Sequence, residues 1–223
     1  MTAIGFARAD QPFRIIGHRG ARGHAPENTM AGLEAGIRLG ADALEVDVQR
    51  HPSGHLFLLH DLRLQRTTNG HGRAADCSWE ALRQLDAGNG ERIPTLTEAL
   101  GCVSRRVPVN IELKTWNSTA SAVVEVLRTF LAKGWHADDF LVSSFHLPEL
   151  HEFRRQLPQI PIGALFDGPP LPGYTDAREL PADSATLNCE FADEPMHVPP
   201  KAQGHSVRGY TVTERAATIT AKS

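Results

Sequence analysis

The sequence is poor in several features that mark particular classes of protein. Three cysteines in 223 residues are an odd and widely spaced set, so no disulfide framework is predicted and neutral thiols in a reducing compartment are expected. A net charge of −3 provides no broad basic field, which argues against nucleic acid as a partner. No stretch approaches the roughly 18 uninterrupted apolar residues of a membrane span.

The first residues, MTAIGFARADQPFR, have no apolar segment of the kind that a secretory signal needs. With 41% hydrophobic and 22% charged residues, the composition is that of an ordinary globular protein with a sizeable core. Internal repeats and low-complexity tracts are also lacking. The sequence therefore predicts a soluble, cytoplasmic protein.

Extended and helical patterns alternate along the chain. Turn residues, above all Pro-Ser-Gly at 52–54, join the second and third extended runs into a predicted hairpin. Helix starts are predicted at Asn28 or Thr29, at Ser78 and at Thr95. Strands are predicted at 13–17, 43–49, 55–60, 107–113, 140–145, 162–166, 186–191 and 207–212, and longer helices at 28–39, 118–133 and 148–157.

Alternating strands and helices imply βαβ units and a parallel sheet, either an open doubly wound sheet or a closed (β/α)₈ barrel. No G-x-G-x-x-G turn follows the first strand, and charged residues stand at several strand ends. Because the carboxyl ends of barrel strands meet on one face, the barrel explains that pattern better. We therefore predict a TIM barrel with residues 50–100 elaborating one βα connection.

Three carboxylates interrupt the apolar strands. Glu45 and Asp47 stand at i and i+2, which places both side chains on one face, and Glu112 precedes Lys114 at the same spacing. Taken alone, Glu45 and Asp47 fit the solvent face of an edge strand equally well. Together, three hard oxygen donors without a nearby cysteine suit Mg²⁺, Ca²⁺ or Mn²⁺.

Two histidines, His18 and His60, directly follow apolar runs. A lone histidine after a strand is more often structural, but a pair beside a carboxylate cluster is typical of a general base and a general acid. Arg19, next to His18, suits either bidentate capture of a phosphate or a surface salt bridge. Lys114 offers a second positive charge.

The order of these motifs resembles the glycerophosphodiester phosphodiesterase family, over residues 13–213. The matching segments are His-Arg-Gly (18–20), Pro-Glu-Asn-Thr (26–29), Glu-x-Asp (45–47), His-Asp (60–61), RTTNGHG (66–72), LDAG (85–88), IPTLTEAL (93–100), Glu-Leu-Lys (112–114) and SSF (143–145).

This resemblance implies a single barrel domain over residues 1–223, related to the phosphatidylinositol-specific phospholipases C, with an insertion lobe at about 50–100 after the second barrel strand. It implies metal-dependent hydrolysis of glycerophosphodiesters to an alcohol and sn-glycerol 3-phosphate. By this resemblance the metal ligands are Glu45, Asp47 and Glu112, and the acid/base pair is His18 and His60. It places Arg19 near the phosphate of the small-molecule substrate, and the charge of Lys114, inferred from its position after Glu112, makes it a second substrate-binding candidate.

Two segments depart from the family pattern. Tyr210-Thr211-Val212 stands where the family has Trp-Thr-Val, so Tyr210 is expected to wall the substrate site with an added hydroxyl. The C-terminal end is shortened, so Ala217–Thr220 forms a stub of an eighth strand or the barrel stays open. An unpaired strand edge favours association, so a homo-oligomer sealing that end is one expectation.

The resemblance leaves two rival functions. One is a lysophospholipase D-like activity at the same site, which needs an apolar groove near Tyr210 or the loop 167–181. The other is a non-catalytic binding module of the same fold, against which stands the presence of every expected metal and histidine position. The headgroup, the identity of the cation and the order of the two histidines stay open.

Overall fold

The computed structural model describes residues 15–165 in full and the backbone of residues 166, 184–188 and 206–210. Within these residues one sheet of eight strands runs through the molecule. Seven strands are parallel neighbours in the order β1-β2-β4-β5-β6-β7-β8, and β3 pairs with β2 in the antiparallel sense. The strands are β1 (Ile16–Gly17), β2 (Ala43–Arg50), β3 (Leu56–Leu58), β4 (Val109–Leu113), β5 (Phe140–Ser144), β6 (Ile162–Phe166), β7 (Ser184–Asn188) and β8 (Ser206–Tyr210).

The helices begin where the sequence provides capping side chains. Thr29, Ser78 and Thr95 each accept a hydrogen bond from a backbone N–H of the first turn, which confirms the three predicted starts. Thr95 and Glu98 form a full capping box. The α-helices are α1 (Met30–Arg38), α2 (Trp79–Gln84), α3 (Leu96–Val103), α4 (Thr119–Ala132) and α5 (Leu147–Gln156).

The two faces of the central strands differ in chemistry. Leu44, Val46 and Val48 of β2 belong to the main core with apolar residues of the helices. The alternate residues of the same strand, among them Glu45 and Asp47, project to the opposite face because side chains alternate along a strand. Helices pack on the apolar outer face of the sheet. The ionisable groups therefore lie together on its polar inner face.

The segment between β2 and β4 forms the predicted insertion. It contains β3, a 3₁₀ turn (Ala74–Asp76) and α2, and it has its own hydrophobic cluster separate from the main core. We call this part, residues 51–94, the insertion lobe. Helix α3 lies outside the lobe, because all its buried residues belong to the main core, whereas β3 contributes Leu56 and Leu58 to the main core and Phe57 to the lobe cluster. The lobe cluster consists of Phe57, Leu59, Leu64, Ala74, Leu82, Ala87 and Ile93.

Some predicted boundaries were wrong. The first helix starts at Met30 rather than residue 28, because Asn28 has a positive φ of 55° that no helical residue adopts. The third strand is limited to Leu56–Leu58, and β7 lies at 184–188 rather than 186–191. The predicted loop 167–181 and the segment Ala217–Thr220 lie outside the described residues.

Candidate active site

Three carboxylates converge on the inner face of β2 and β4. The parallel register places Asp47 beside Glu112, and Glu45 lies two residues earlier on the same face. Each carboxylate has an oxygen within 4.8 Å of an oxygen of the other two. Glu45 and Asp47 are buried, and the Glu112 side chain is 12% exposed. The predicted convergence of these three residues is thus present in the structure.

This cluster fits a hard divalent cation. Glu45 Oε1 and Asp47 Oδ1 are buried and lack a hydrogen-bond partner within the protein. Buried ionised carboxylates without such partners are costly unless a counter-charge is close. A donor set made entirely of carboxylate oxygens is the kind that Mg²⁺, Ca²⁺ and Mn²⁺ accept. Glu45, Asp47 and Glu112 are therefore the residues that could hold such an ion.

Burial and the neighbouring carboxylates raise the pKa values of Glu45 and Glu112. Burial, followed by the charges of Asp47 and Glu112, holds the pKa of Glu45 well above its ordinary value. Burial also raises the pKa of Glu112, while the charge of Lys114 opposes that rise. A bound cation would reverse the like-charge repulsion, because it favours the ionised form of every ligand.

The loop after β1 delivers His18 and Arg19 to this cluster. His18 Nε2 lies 3.9 Å from Glu45 Oε2, and the backbone N–H of Arg19 donates to the same oxygen at 2.7 Å. Burial, then the charge of Arg19, lowers the pKa of His18 to about 4. Gly20 makes the turn possible with a φ of 82°, and a Cβ there would come within 2.6 Å of the Gly32 backbone in α1.

The Arg19 guanidinium is buried between two carboxylates. Its Nη1 donates to Glu27 Oε1 at 2.9 Å, and its Nε lies 3.2 Å from Asp47 Oδ2. The alternative of a solvent-exposed surface salt bridge is wrong, because only 7% of Arg19 is exposed. The side chain is positioned beside the carboxylate cluster, where an anionic ligand of a bound cation would lie.

The segment Pro-Glu-Asn-Thr supports the cluster residue by residue. Asn28 donates through Nδ2 to Asp47 Oδ2 at 2.7 Å and accepts the Asp47 backbone N–H on Oδ1 at 3.1 Å. Glu27 holds Arg19, and Thr29 caps α1. The sequence reasoning missed Asn28 and Glu27 as site residues, although their place in a motif of the family resemblance was a signal that could have found them.

His60 reaches the site through the antiparallel hairpin. Since β3 runs back along β2, the chain returns toward Asp47, whose carbonyl accepts the Leu59 N–H at 3.1 Å. His18 follows β1, which is parallel to β2, whereas His60 follows β3, whose antiparallel pairing with β2 confirms the predicted hairpin. Both histidines nevertheless flank the same carboxylates, and Asp47 and Lys114 act on His60 electrostatically.

Asp61 holds one ring nitrogen of His60. His60 Nδ1 lies 2.5 Å from Asp61 Oδ1. Hydrogen bonding from Arg66 outweighs the effect of burial and lowers the pKa of Asp61 to about 2. This carboxylate is therefore ionised and can only accept hydrogen bonds. His60 therefore carries its proton on Nδ1 when neutral, which leaves Nε2 for proton exchange. Burial is the main cause that lowers the pKa of His60.

Lys114 places a positive charge beside the carboxylates. Its Nζ donates to Glu112 Oε1 at 2.7 Å and lies 3.7 Å from Asp47 Oδ1. Burial alone would lower the pKa of Lys114, but the charges of Glu112 and Asp47 outweigh it and raise the pKa. The ammonium also lies 5.7 Å from the ring centroid of Phe145. Lys114 thus joins the carboxylate cluster to the loop that follows β5.

Two aromatic side chains are exposed in the loops after β4 and β5. Trp116 is 69% exposed and stacks on His146, with ring centroids 4.7 Å apart. Phe145, next to His146, is 41% exposed. The sequence reasoning did not select these residues. Tyr210 ends β8, but its side chain lies outside the described part of the structure.

The cysteines of the described chain are thiols, and its helices are too short or too polar to cross a membrane. Cys77 and Cys102 are free thiols, and burial raises the pKa of Cys102 to about 11, so this thiol is neutral. Cys189 lies outside the described residues. Across residues 15–166 and the two later strands, no helix combines the length and apolar character that a bilayer span requires.

The fold and the site together define an α/β barrel of TIM type whose ionisable groups gather at the carboxyl ends of its first strands. The model of the glycerophosphoryl diester phosphodiesterase family matches residues 18–222. The chain belongs to this family.

Individual relatives agree with that assignment. A glycerophosphodiester phosphodiesterase of Caldanaerobacter subterraneus is 36% identical over 160 residues, which cover 68% of this chain and 66% of the relative. Glycerophosphodiester phosphodiesterase 1 of Mus musculus is 35% identical over 164 residues, 69% of this chain and 49% of the relative. The matched part thus spans just under two thirds of the first and about half of the second.

Solved structures confirm the predicted barrel. A phosphodiesterase of Oleispira antarctica, solved in complex with the product sn-glycerol-3-phosphate, superimposes with a TM-score of 0.80 at 30% identity, over 91% of this chain and 85% of the other. A glycerophosphodiester phosphodiesterase of Thermotoga maritima has the same fold, with a TM-score of 0.68 at 22% identity over 92% of this chain and 88% of the other.

Proposed function

We propose that this protein hydrolyses glycerophosphodiesters to an alcohol and sn-glycerol 3-phosphate. The observation that carries the proposal is the cluster of Glu45, Asp47 and Glu112 with His18 and His60 beside it, in a barrel of this family. The product bound to the Oleispira antarctica relative supports the same substrate class.

One divalent cation, Mg²⁺ or Ca²⁺ with Mn²⁺ as a third choice, would be held by Glu45, Asp47 and Glu112. When bound, it supplies positive charge against the charge that builds up on a phosphate in the transition state. Arg19 and Lys114, which lie beside the same carboxylates, bind and orient the anionic phosphate. Carboxylates hold both the Arg19 guanidinium and the Lys114 ammonium, so the orientation of these two side chains is fixed before the substrate binds.

The two histidines move the protons. One takes a proton from the nucleophile, either the substrate's own glycerol 2-hydroxyl or a water molecule, and the other protonates the leaving alkoxide. Such proton transfers contribute typically about 10²–10⁴-fold each. His60 exchanges its proton through Nε2, because Nδ1 donates to Asp61. His18 lies against Glu45, with its Nε2 3.9 Å from Glu45 Oε2.

The proposal is tested by assaying glycerol 3-phosphate release from glycerophosphocholine with Mg²⁺, Ca²⁺ or Mn²⁺, and with a chelator. His18→Ala and His60→Ala are each expected to abolish turnover while a cation still raises the melting temperature. His71→Ala, at an exposed histidine of the insertion lobe, is the matched control. Substantial activity in both site variants, or none in the wild type with any of these cations, would contradict the proposal.

A lysophospholipase D-like activity is the second candidate. The exposed rings of Trp116 and Phe145 favour it, since the latter contacts Lys114 at the edge of the site and both could receive an apolar chain. Comparing a lysophospholipid with glycerophosphocholine separates the two activities. If the lysolipid is preferred, Trp116→Ala should lose that preference, whereas Leu39→Ala, an exposed apolar residue of α1's C-cap, should retain it.

A further inference from the structure

We propose that Arg66 of the insertion lobe is a positioning residue that orients His60 and Arg19 together, through Asp61 and Glu27. This inference rests on the proposed function and adds a role for the lobe. Within the described residues the hydrogen bonds of Arg66 go to Asp61 and Glu27, so Arg66 acts on the site through two intermediate carboxylates.

Arg66 holds Asp61 from one side of its guanidinium. Nε lies 2.5 Å from Asp61 Oδ2, and Nη2 donates to Oδ1 at 3.1 Å. Asp61 Oδ1 also receives Nδ1 of His60 at 2.5 Å. Since both Asp61 oxygens are fixed by one planar group, the imidazole has one defined partner and one defined orientation.

Arg66 binds Glu27 through the other edge of its guanidinium. Nη1 donates to Glu27 Oε2 at 2.9 Å and Nη2 to Oε1 at 2.7 Å. Glu27 Oε1 in turn accepts Nη1 of Arg19 at 2.9 Å. Burial of Glu27 opposes its charge, yet the hydrogen bonds from Arg66 and Arg19 lower the pKa of Glu27 to about 2, so it stays ionised.

Only arginine can make both contacts. Its five N–H groups form a rigid fork that binds two carboxylates in one plane, whereas a lysine ammonium is a point charge on a flexible stem. Without Arg66, Glu27 would keep only its hydrogen bond from Arg19, and Asp61 only its hydrogen bond from His60, in the part of the chain that the structure describes. Glu27 belongs to the loop after β1, whereas Asp61 and Arg66 belong to the lobe, so Arg66 ties that loop to the lobe beside His60.

A kinetic test separates the effect of Arg66 on His60, through Asp61, from its effect on Arg19, through Glu27. Asp61→Ala is expected to lower kcat with little change in KM, and Glu27→Gln to raise KM because Arg19 loses its orientation. Arg66→Gln should show both effects, each about 10- to 100-fold, the size seen when an outer hydrogen-bond partner of an oriented side chain is lost. Arg66→Lys should remain impaired, since charge alone does not restore the fork.

The matched control is Arg83→Gln. Arg83 belongs to the same lobe and pairs with a carboxylate, Glu98, at 2.6 Å, but this pair does not contact the site. We expect Arg83→Gln to keep kcat and KM near the wild-type values, even if its melting temperature falls. A purely structural role of Arg66 would lower the melting temperature alone, as in the control.

A spectroscopic readout checks the link to His60 directly. In ¹⁵N spectra of the imidazole at a pH where the ring is neutral, the wild type should show a protonated Nδ1 and an unprotonated Nε2. In Arg66→Gln and Asp61→Ala the two tautomers should mix. Wild-type tautomer and kinetics in Arg66→Gln, or full rescue by Arg66→Lys, would overturn the inference.

Failure of the inference and failure of the proposed function give different results. If the wild-type protein releases no glycerol 3-phosphate with any cation tested, the function itself is wrong, and the tautomer measurement still decides the role of Arg66 toward His60. If the wild type is active and Arg66→Gln matches it in kcat, KM and tautomer, the inference alone is wrong.

Discussion

Asn28 and Asp47 are joined by two reciprocal hydrogen bonds, one from the amide of Asn28 to the Asp47 carboxylate and one from the Asp47 backbone to the amide oxygen. This pair fixes one carboxylate oxygen of Asp47 and leaves Oδ1 without a hydrogen-bond partner in the protein. The side chain is therefore oriented with one oxygen directed away from Asn28, as a ligand of the proposed cation would be.

Asn28→Ala is expected to weaken the proposed cation site. The carboxylate would lose its orientation, which should reduce cation affinity about 10- to 100-fold. The unpaired Asp47 N–H should also lower the free energy of unfolding by about 1–3 kcal/mol. Thermal melts titrated with Mg²⁺, Ca²⁺ or Mn²⁺ measure both effects. Asn69→Ala is the control, because Asn69 also accepts a backbone N–H, that of Asp86, but on the exposed lobe.

Cation binding should stabilise the protein more at pH 8 than at pH 5. The folded-state pKa values of Glu45 and Glu112 are raised. Without a cation, the contribution of these two carboxyls to the free energy of unfolding is therefore fully present below the ordinary carboxyl pKa. It is lost as the pH rises toward the raised pKa values. A cation removes this penalty because it binds the ionised form. Melting temperatures with chelator and with cation, from pH 5 to 8, test this; an equal shift at every pH would refute it.

Lys114→Gln should have opposite effects on the two ligands of the site. The ammonium lies 2.7 Å from Glu112, so it competes with the proposed cation, and its removal should tighten cation binding. The anionic substrate loses a positively charged binding partner, so KM should rise. Calorimetric cation titration and initial-rate kinetics measure the two effects. Lys133→Gln, whose ammonium packs on Phe130, should change neither.

Gly20→Ala should destabilise the protein and disturb the loop of His18 and Arg19. A Cβ at this position meets the backbone of Gly32 at 2.6 Å, and overpacking of this kind costs about 1–3 kcal/mol in addition to the positive φ. Gly72→Ala is the matched control, because Gly72 has a φ of 89° but no atom within 4 Å of the added Cβ. Chemical unfolding curves that show equal losses for the two variants would contradict the packing argument.

Much of the candidate site could be predicted from the sequence because its signals are local. The i and i+2 spacing of Glu45 and Asp47 defines one strand face, and the hydroxyl residues Thr29, Ser78 and Thr95 mark helix starts. Strand register then places Glu112 beside Asp47. The gathering of these three residues depends only on adjacent parallel strands.

The parts that were missed depend on long-range geometry. Glu27 and Arg66 are 39 residues apart, and neither has a periodicity that points to the other. The hairpin of the second and third runs was predicted correctly, but the end of β3 at Leu58, before His60, was not. Single-domain organisation, cytoplasmic location, the role of Tyr210 and closure of the C-terminal end stay predictions.

The insertion lobe has a hydrophobic cluster of its own, and this separation has a thermal consequence. A unit with a separate, small core can open locally at a lower free energy than global unfolding requires. Opening of the lobe would separate Arg66, together with His60 and Asp61, from Glu27 and the carboxylate cluster, while the helices around the main sheet keep their packing. Heat should then inactivate the protein, and speed amide exchange in residues 51–94, several degrees before the barrel itself melts.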